Sequence, residues 1–248
     1  MSDFILHEFQ SVLGSSVTKE DIFYYVYGAL HSPAYRAKFD ADLKKQLPRL
    51  PLPEDKPKFD RVQKIGRALA RLHLNYEHVE PWPLEEVVTP GAKKSLRVEK
   101  LRFGKKGKDE DKSVIVVNPT LQLVGVPAKA YEYVVNGRSA IEWIFDRYQI
   151  KTDADSGIVN DPNKWGEEHG DERYIVDLLK RVVRVSMETV DLVAQIDGES
   201  IAAASPEGKT RRSPILATGT KRPRRDGSSE ELDFPMAARP SADYDPEG

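Results

Sequence analysis

The sequence predicts an α+β protein: a helical body, a small antiparallel β-sheet or hairpin, and a disordered C-terminal tail. Three observations carry this expectation. Apolar residues recur at helical spacing in the 18–74 region and again from 171 to 196, a β-branched run at 114–117 follows a glycine-lysine turn, and from Gly198 the pattern collapses.

Residues 1–17 read as a lead-in of uncertain order. Thr18 then caps a helix, with Asp21 placed where an acid favours the helix N-terminus; Ile22, Tyr25, Val26 and Ala29 are spaced for one buried face. Ser32-Pro33 reads as an N-cap with proline at the first helical position, opening a helix to about residue 47 with Tyr35, Phe39 and Leu43 inward. Pro48, Pro51, Pro53 and Pro57 mark an extended connector. A third helix follows, about 58–74, with Phe59, Val62, Ile65, Leu69 and Leu72 in helical register, and Pro81-Trp82-Pro83 closes the region.

The texture then changes. Leu96, Val98 and Leu101 among charges, the turn Gly104-Lys105-Lys106-Gly107-Lys108-Asp109 and the run Val114–Val117 read as a hairpin, with Leu121–Val124 as a third strand. Alternation places Arg97, Glu99 and Leu101 on one strand face and Val98, Lys100 and Arg102 on the other. Pro127 starts a short helix through Tyr133, Asn136-Gly137 is a turn, and Ser139-Ala140-Ile141-Glu142 is a capping box ahead of another helix. A polar loop from Lys151 to Gly170 holds Trp165. Asp171 is expected to cap the last long helix, to about Ile196. The organisation expected is 1–17 lead-in, 18–197 globular domain and 198–248 tail, whose Ala, Ser, Pro, Gly and mixed charges cannot bury enough surface to offset ordering entropy.

Composition excludes several classes of chemistry. With 39% hydrophobic and 31% charged residues, the 248 residues suit one globular domain, or one with a small annex. Cysteine is absent, which removes disulfides, thiolate metal sites and cysteine nucleophiles. Mean hydropathy is −0.55; no apolar run approaches the ~18 residues of a membrane span, and MSDFILHEFQ shows no secretory pattern. A cytoplasmic protein is expected. The net charge of −2 argues against an uncomplicated DNA binder, which usually carries a basic excess.

Catalytic motifs fail on spacing. Gly104–Lys108 lacks the spacing and hydroxyl of a P-loop. Asn118-Pro119-Thr120 lacks the second proline and aromatic of an amino-methyltransferase motif. Glu54-Asp55-Lys56 matches nuclease letters but lies in the proline-rich connector. Asp153-Ala154-Asp155-Ser156-Gly157 hints at calcium ligands but departs from the EF-hand pattern. His73 and His78 do not share a helix face, and no Gly-x-Ser-x-Gly elbow occurs. No enzyme activity, cofactor or metal is predicted.

One feature suggests a ligand. Lys93, Lys94, Arg97, Lys100, Arg102, Lys105, Lys106, Lys108 and Lys112 crowd into one short stretch, against Glu99, Asp109, Glu110 and Asp111. A two-stranded ribbon fits the major groove, and arginine can grip guanine bidentately. The competing reading is a solvated edge hairpin that its lysines protect from aggregation. The tail's Lys221-Arg222-Pro223-Arg224-Arg225 reads as a solvated charge cluster, with phosphate contact or an import-like signal as the alternatives.

Four segments are more specific than composition: DIFYYVYGALHSPAYRAKF (21–39), LHLNYEHVEPWPL (72–84), YEYVVNGRSAIEWIFDRYQIKTDADSGIVNDPNKW (131–165) and RYIVDLLKRVVRVSMETV (173–190). In this order they resemble the C-terminal specificity domain of type ISP restriction-modification enzymes. That family places nuclease, helicase-like ATPase and adenine methyltransferase parts upstream of a target-recognition domain. The resemblance covers about 18–196 and implies a non-catalytic module that reads double-stranded DNA beside a helicase/methyltransferase chain, as a split subunit or fragment. It carries over no base-reading residues. The candidate DNA-binding set is Lys93, Lys94, Arg97, Lys100, Arg102, Lys105, Lys106 and Lys108. The alternative is a docking module whose aromatic helix (Phe23, Tyr24, Tyr25, Tyr27) packs on the methyltransferase without contacting DNA.

Overall fold

The computed structural model describes residues 1–43, 45, 50, 52–53 and 55–196. The tail expected from 198, with its basic cluster, lies outside the described residues, as do Pro48, Pro51 and Glu54.

The expected α+β architecture is present. Four helices lead: α1 (Asp3–Leu13), α2 (Lys19–His31), α3 (Pro33–Leu43) and α4 (Lys56–Leu74). Their core gathers Phe9, Leu13, Ile22, Tyr25, Ala29, Tyr35, Phe59, Val62, Ile65 and Leu69. The lead-in of uncertain order is thus a helix, anchored by Phe9 and Leu13. Thr18 and Asp21 form a reciprocal capping box, and Ser32 Oγ accepts from Tyr35 N at 3.3 Å as its N-cap role requires. Asp55 is the N-cap of α4, accepting from Lys58 N at 2.8 Å, and Lys56 pairs with Asp60. A capping role therefore accounts for two of the three nuclease-like letters.

The second core is built on a four-stranded antiparallel sheet, order β1-β4-β3-β2, from β1 (Glu85–Val88), β2 (Arg102–Lys106), β3 (Asp109–Asn118) and β4 (Leu121–Val124). The predicted hairpin and third strand are there; β1 was not expected. Phe103, Ile115, Leu123 and Glu86 form one cross-strand row on the inner face, where Ile115 and Leu123 are fully buried. A short 3-10 turn (Ala128–Glu132) leads to the hairpin β5 (Val134–Val135) and β6 (Arg138–Ser139). Asn136 and Gly137 both take positive φ, 50° and 81°, as a two-residue primed turn demands. Ser139 and Glu142 form the expected capping box of α5 (Ala140–Arg147).

The region 151–170 is not a featureless loop. It holds the hairpin β7 (Lys151–Thr152) and β8 (Val159–Asn160) and helix α6 (Asn163–His169), which ends at the left-handed Gly170. Asp153 Oδ1 accepts from Ser156 N and Oγ at 2.8 and 2.7 Å, a local turn. Among the described residues no cluster of three or more His, Asp or Glu is arranged to hold a metal.

The last helix, α7 (Tyr174–Val193), starts later than expected: Arg173 occupies the N-cap, and Asp171 contributes only its backbone carbonyl, to Tyr174 N. Ile175, Leu178, Leu179, Val182 and Val183 enter the sheet core, whereas Leu192 and Val193 pack on the helical core. The helix therefore joins both cores. Among the described residues no helix is long and apolar enough to cross a membrane.

A buried polar network lies where α2 and α4 meet α7. His73 shares hydrogen bonds with the Tyr27 hydroxyl and the Thr189 hydroxyl, each 2.8 Å, and stacks on Tyr133. Burial, then the charge of nearby His31, pushes His73 down to about 4, and burial lowers His31 as well. The neutral form is the folded form. Its contribution to stability is complete above the unfolded pKa near 6.5 and declines as pH falls from there towards 4. Thermal melts should show the melting temperature falling across that window, with a shallower fall in His73→Gln. Parallel curves for the two proteins would remove His73 from the account.

Candidate nucleic-acid interface

The segment 96–102 was expected to be a strand with alternating faces. It is not: Val98 and Leu101, predicted on opposite faces, are both buried, and the strand begins at Arg102. Side chains, not a neighbouring strand, satisfy most of its paired backbone groups, while the Glu99 carbonyl accepts from Ile150 N at 3.0 Å. Asn163 donates from Nδ2 to the Val98 carbonyl and accepts from Val98 N at Oδ1, both 2.8 Å. Asn118 Nδ2 donates to the carbonyls of Ser95 and Arg97 at 2.9 and 2.8 Å. These amides substitute for a ladder, because a buried peptide group must find a partner.

This anchoring divides the eight candidate cations into two groups. Arg97 grips Asp161 and Glu167 with its two terminal nitrogens, the Glu167 contact at 2.5 Å. Burial opposes ionisation of Asp161, but hydrogen bonds from Asn163 and the Arg97 contact outweigh it and hold the carboxyl below its usual range. Lys94 meets Glu86 at 2.6 Å. Glu86 also takes Arg173 at 2.7 Å and Lys180 at 2.5 Å, and these three cations, Arg173 foremost, hold its carboxyl far below the carboxylate range. Arg97 and Lys94 thus brace the body. They also line a cleft of about 580 Å³ with Asn163, Glu167 and Arg173.

Lys93, Lys100, Arg102, Lys105, Lys106 and Lys108 are exposed and, among the described residues, meet no carboxylate within ion-pair distance. Three of them sit on the tip of the β2–β3 ribbon, where Gly107 takes φ 68° at the turn. Cross-strand pairing sets Lys105 opposite Glu110 and Lys106 opposite Asp109, so each tip face carries one cation and one anion. Charge is therefore mixed at the tip. Lys112 turns back to the body, 5.1 Å from the Phe103 ring and 3.6 Å from Glu142.

Sequence reasoning missed the outer face of the sheet. Register places Arg102, Val116, Gln122 and Val87 in one cross-strand row. Arg102 is exposed and Val87 is 38% exposed, while Val116 and Gln122 are half-buried. The alternation of Gln122 and Val124 against buried Leu121 and Leu123 was the available signal, but β1 had to be known before the row could be assembled.

The chain matches the family model of the Type ISP C-terminal specificity domain over residues 1–178. It is similar in structure to a nuclease-deletion mutant of the Type ISP restriction-modification enzyme LlaGI in complex with a DNA substrate mimic, with TM-score 0.62 and 45% identity over 72% of this chain. It is also similar to the ATP-dependent Type ISP enzyme LlaBIII bound to DNA, with TM-score 0.67 and 37% identity over 79% of the chain. A third match is the DrdV-DNA complex, with TM-score 0.66 and 32% identity over 80%. This chain spans 14%, 12% and 20% of the lengths of those proteins. No curated protein matches it. The match from residue 1 onward, and the fold shared at these identities, show that this chain belongs to the Type ISP C-terminal specificity domain family.

Proposed function

We propose that this chain is the DNA target-recognition module of a type ISP restriction-modification system, without catalysis of its own. It acts in the cytoplasm with a helicase and adenine-methyltransferase chain. The observation that carries this reading is its likeness to LlaBIII bound to DNA and to LlaGI in complex with a DNA substrate mimic. The six exposed cations that have no carboxylate partner among the described residues, Lys93, Lys100, Arg102, Lys105, Lys106 and Lys108, supply the phosphate and base contacts. Lys94 and Arg97 hold the supporting segment in place.

Titrating labelled duplex DNA across a salt series tests this. Affinity should fall steeply with salt, by a slope of about 0.9 in log–log terms for each phosphate neutralised. Lys100→Ala and Lys106→Ala should each weaken binding and reduce the slope by about one contact. Salt-independent binding, or none with or without the methyltransferase chain, contradicts the reading.

A specific observation favours the docking alternative for another surface. Phe4, Val12 and Phe23 are 54%, 50% and 55% exposed on α1 and α2, whereas Tyr25 of the same aromatic run is core. That surface suits contact with the methyltransferase part, while the sheet end contacts DNA.

A further inference from the structure

We infer that Arg102 and Gln122, in one cross-strand row on the outer face of the sheet with Val116 between them, read base edges, and that the flanking lysines contact only phosphate. The inference rests on the target-recognition reading above and assigns the reading of sequence to individual side chains. Base readout of this kind needs a side chain that reaches solvent, is unengaged and is planar with two hydrogen-bonding points. Arg97, the other arginine of this stretch, fails because Asp161 and Glu167 occupy both terminal nitrogens. Arg102 is exposed and Gln122 is half-buried on the open face, and neither makes a side-chain hydrogen bond or ion pair within the described residues.

Their spacing fits a duplex. Arg102 lies opposite Val116, Val116 opposite Gln122, and Gln122 opposite Val87. Paired residues of antiparallel strands share a face, and strands lie ~4.8 Å apart. Arg102 and Gln122 are therefore roughly 10 Å apart at the backbone, about three steps of the ~3.4 Å base-pair rise. The chemistry is complementary: a guanidinium suits guanine O6 and N7, a carboxamide suits adenine N6 and N7, and the valines offer apolar contact to a thymine methyl. Arg102 is on the edge strand, where no further strand blocks its approach. Glu85, opposite Val124 on the far strand, disfavours phosphate there, which orients the duplex towards β2.

Selection from duplexes with a randomised centre tests this, comparing the wild-type chain with Arg102→Lys, Arg102→Ala, Gln122→Ala and Lys106→Ala, each checked by thermal melting. Wild type should enrich a motif. Arg102→Lys keeps the charge but loses the fork. It should lose preference at one guanine and bind the enriched duplex roughly 5- to 150-fold more weakly, while its affinity for a scrambled duplex is unchanged. Gln122→Ala should lose preference at an adenine about three pairs away. Lys106→Ala should weaken both duplexes alike and keep the motif. The same motif, equally enriched, in the Arg102 and Gln122 variants overturns this inference and leaves target recognition standing. A wild-type chain that enriches no motif, with or without the methyltransferase chain, overturns target recognition itself.

Discussion

Replacing Gly66 by alanine should destabilise the protein by about 3 kcal/mol or more, against the gain of about 1 kcal/mol that alanine brings to a helix interior. The opposite signs make this a sharp comparison. Gly66 in α4 faces Gly28 in α2, and a Cβ at Gly66 would stand 1.8 Å from the Tyr24 carbonyl oxygen. A Cβ at Gly28 would stand 2.7 Å from the Val62 carbonyl. Both obstacles are backbone, which cannot rotate aside as a side chain would. The helices must separate, loosening the packing of Tyr25, Val62 and Leu69 between them. At about 2–4 °C per kcal/mol for a protein of this size, a melting-temperature fall of roughly 6–12 °C follows. A rise on Gly66→Ala would mean that the two helices do not approach through their glycines.

Asn118→Ala should cost a similar amount, about 3 kcal/mol or more. This buried carboxamide donates to the Ser95 and Arg97 carbonyls, and its oxygen accepts from Thr120 N and Leu121 N at 2.8 and 3.0 Å. Alanine strands four backbone groups, one buried at Leu121 and the others partly buried, and a buried group left unpaired costs about 1–3 kcal/mol. Asn118→Asp should fall between alanine and wild type. It keeps the acceptor for the turn but turns a second oxygen towards two carbonyls. Urea unfolding measures both. A loss under about 1 kcal/mol for alanine would show that 93–101 is held by other means.

The contrast between these sites marks what the sequence could disclose. Elements α2, α4, α5 and the body of α7 were legible because helical period and local capping agree, as at Thr18 with Asp21 and Ser139 with Glu142. The ribbon β2–β3 and strand β4 were legible from their turn and β-branched run. Strand β1 was not, because Glu85–Val88 finds its partner in Leu121–Val124 and carries no turn signal of its own. The stretch 96–101 was misread because most of its backbone partners are amides from Asn118 and Asn163, far along the chain. The charge of the candidate site was plain, but not its engagement: Arg97 is held by acids 64 and 70 residues away. No local pattern distinguishes it from Arg102.

Amide hydrogen exchange with and without duplex DNA tests most directly whether the sheet end is the nucleic-acid face. Added DNA should slow exchange in β2, β3 and β4 and leave α1 and α2 unchanged. Slowing confined to α1 and α2, with the ribbon exchanging as in the free chain, would contradict the assignment.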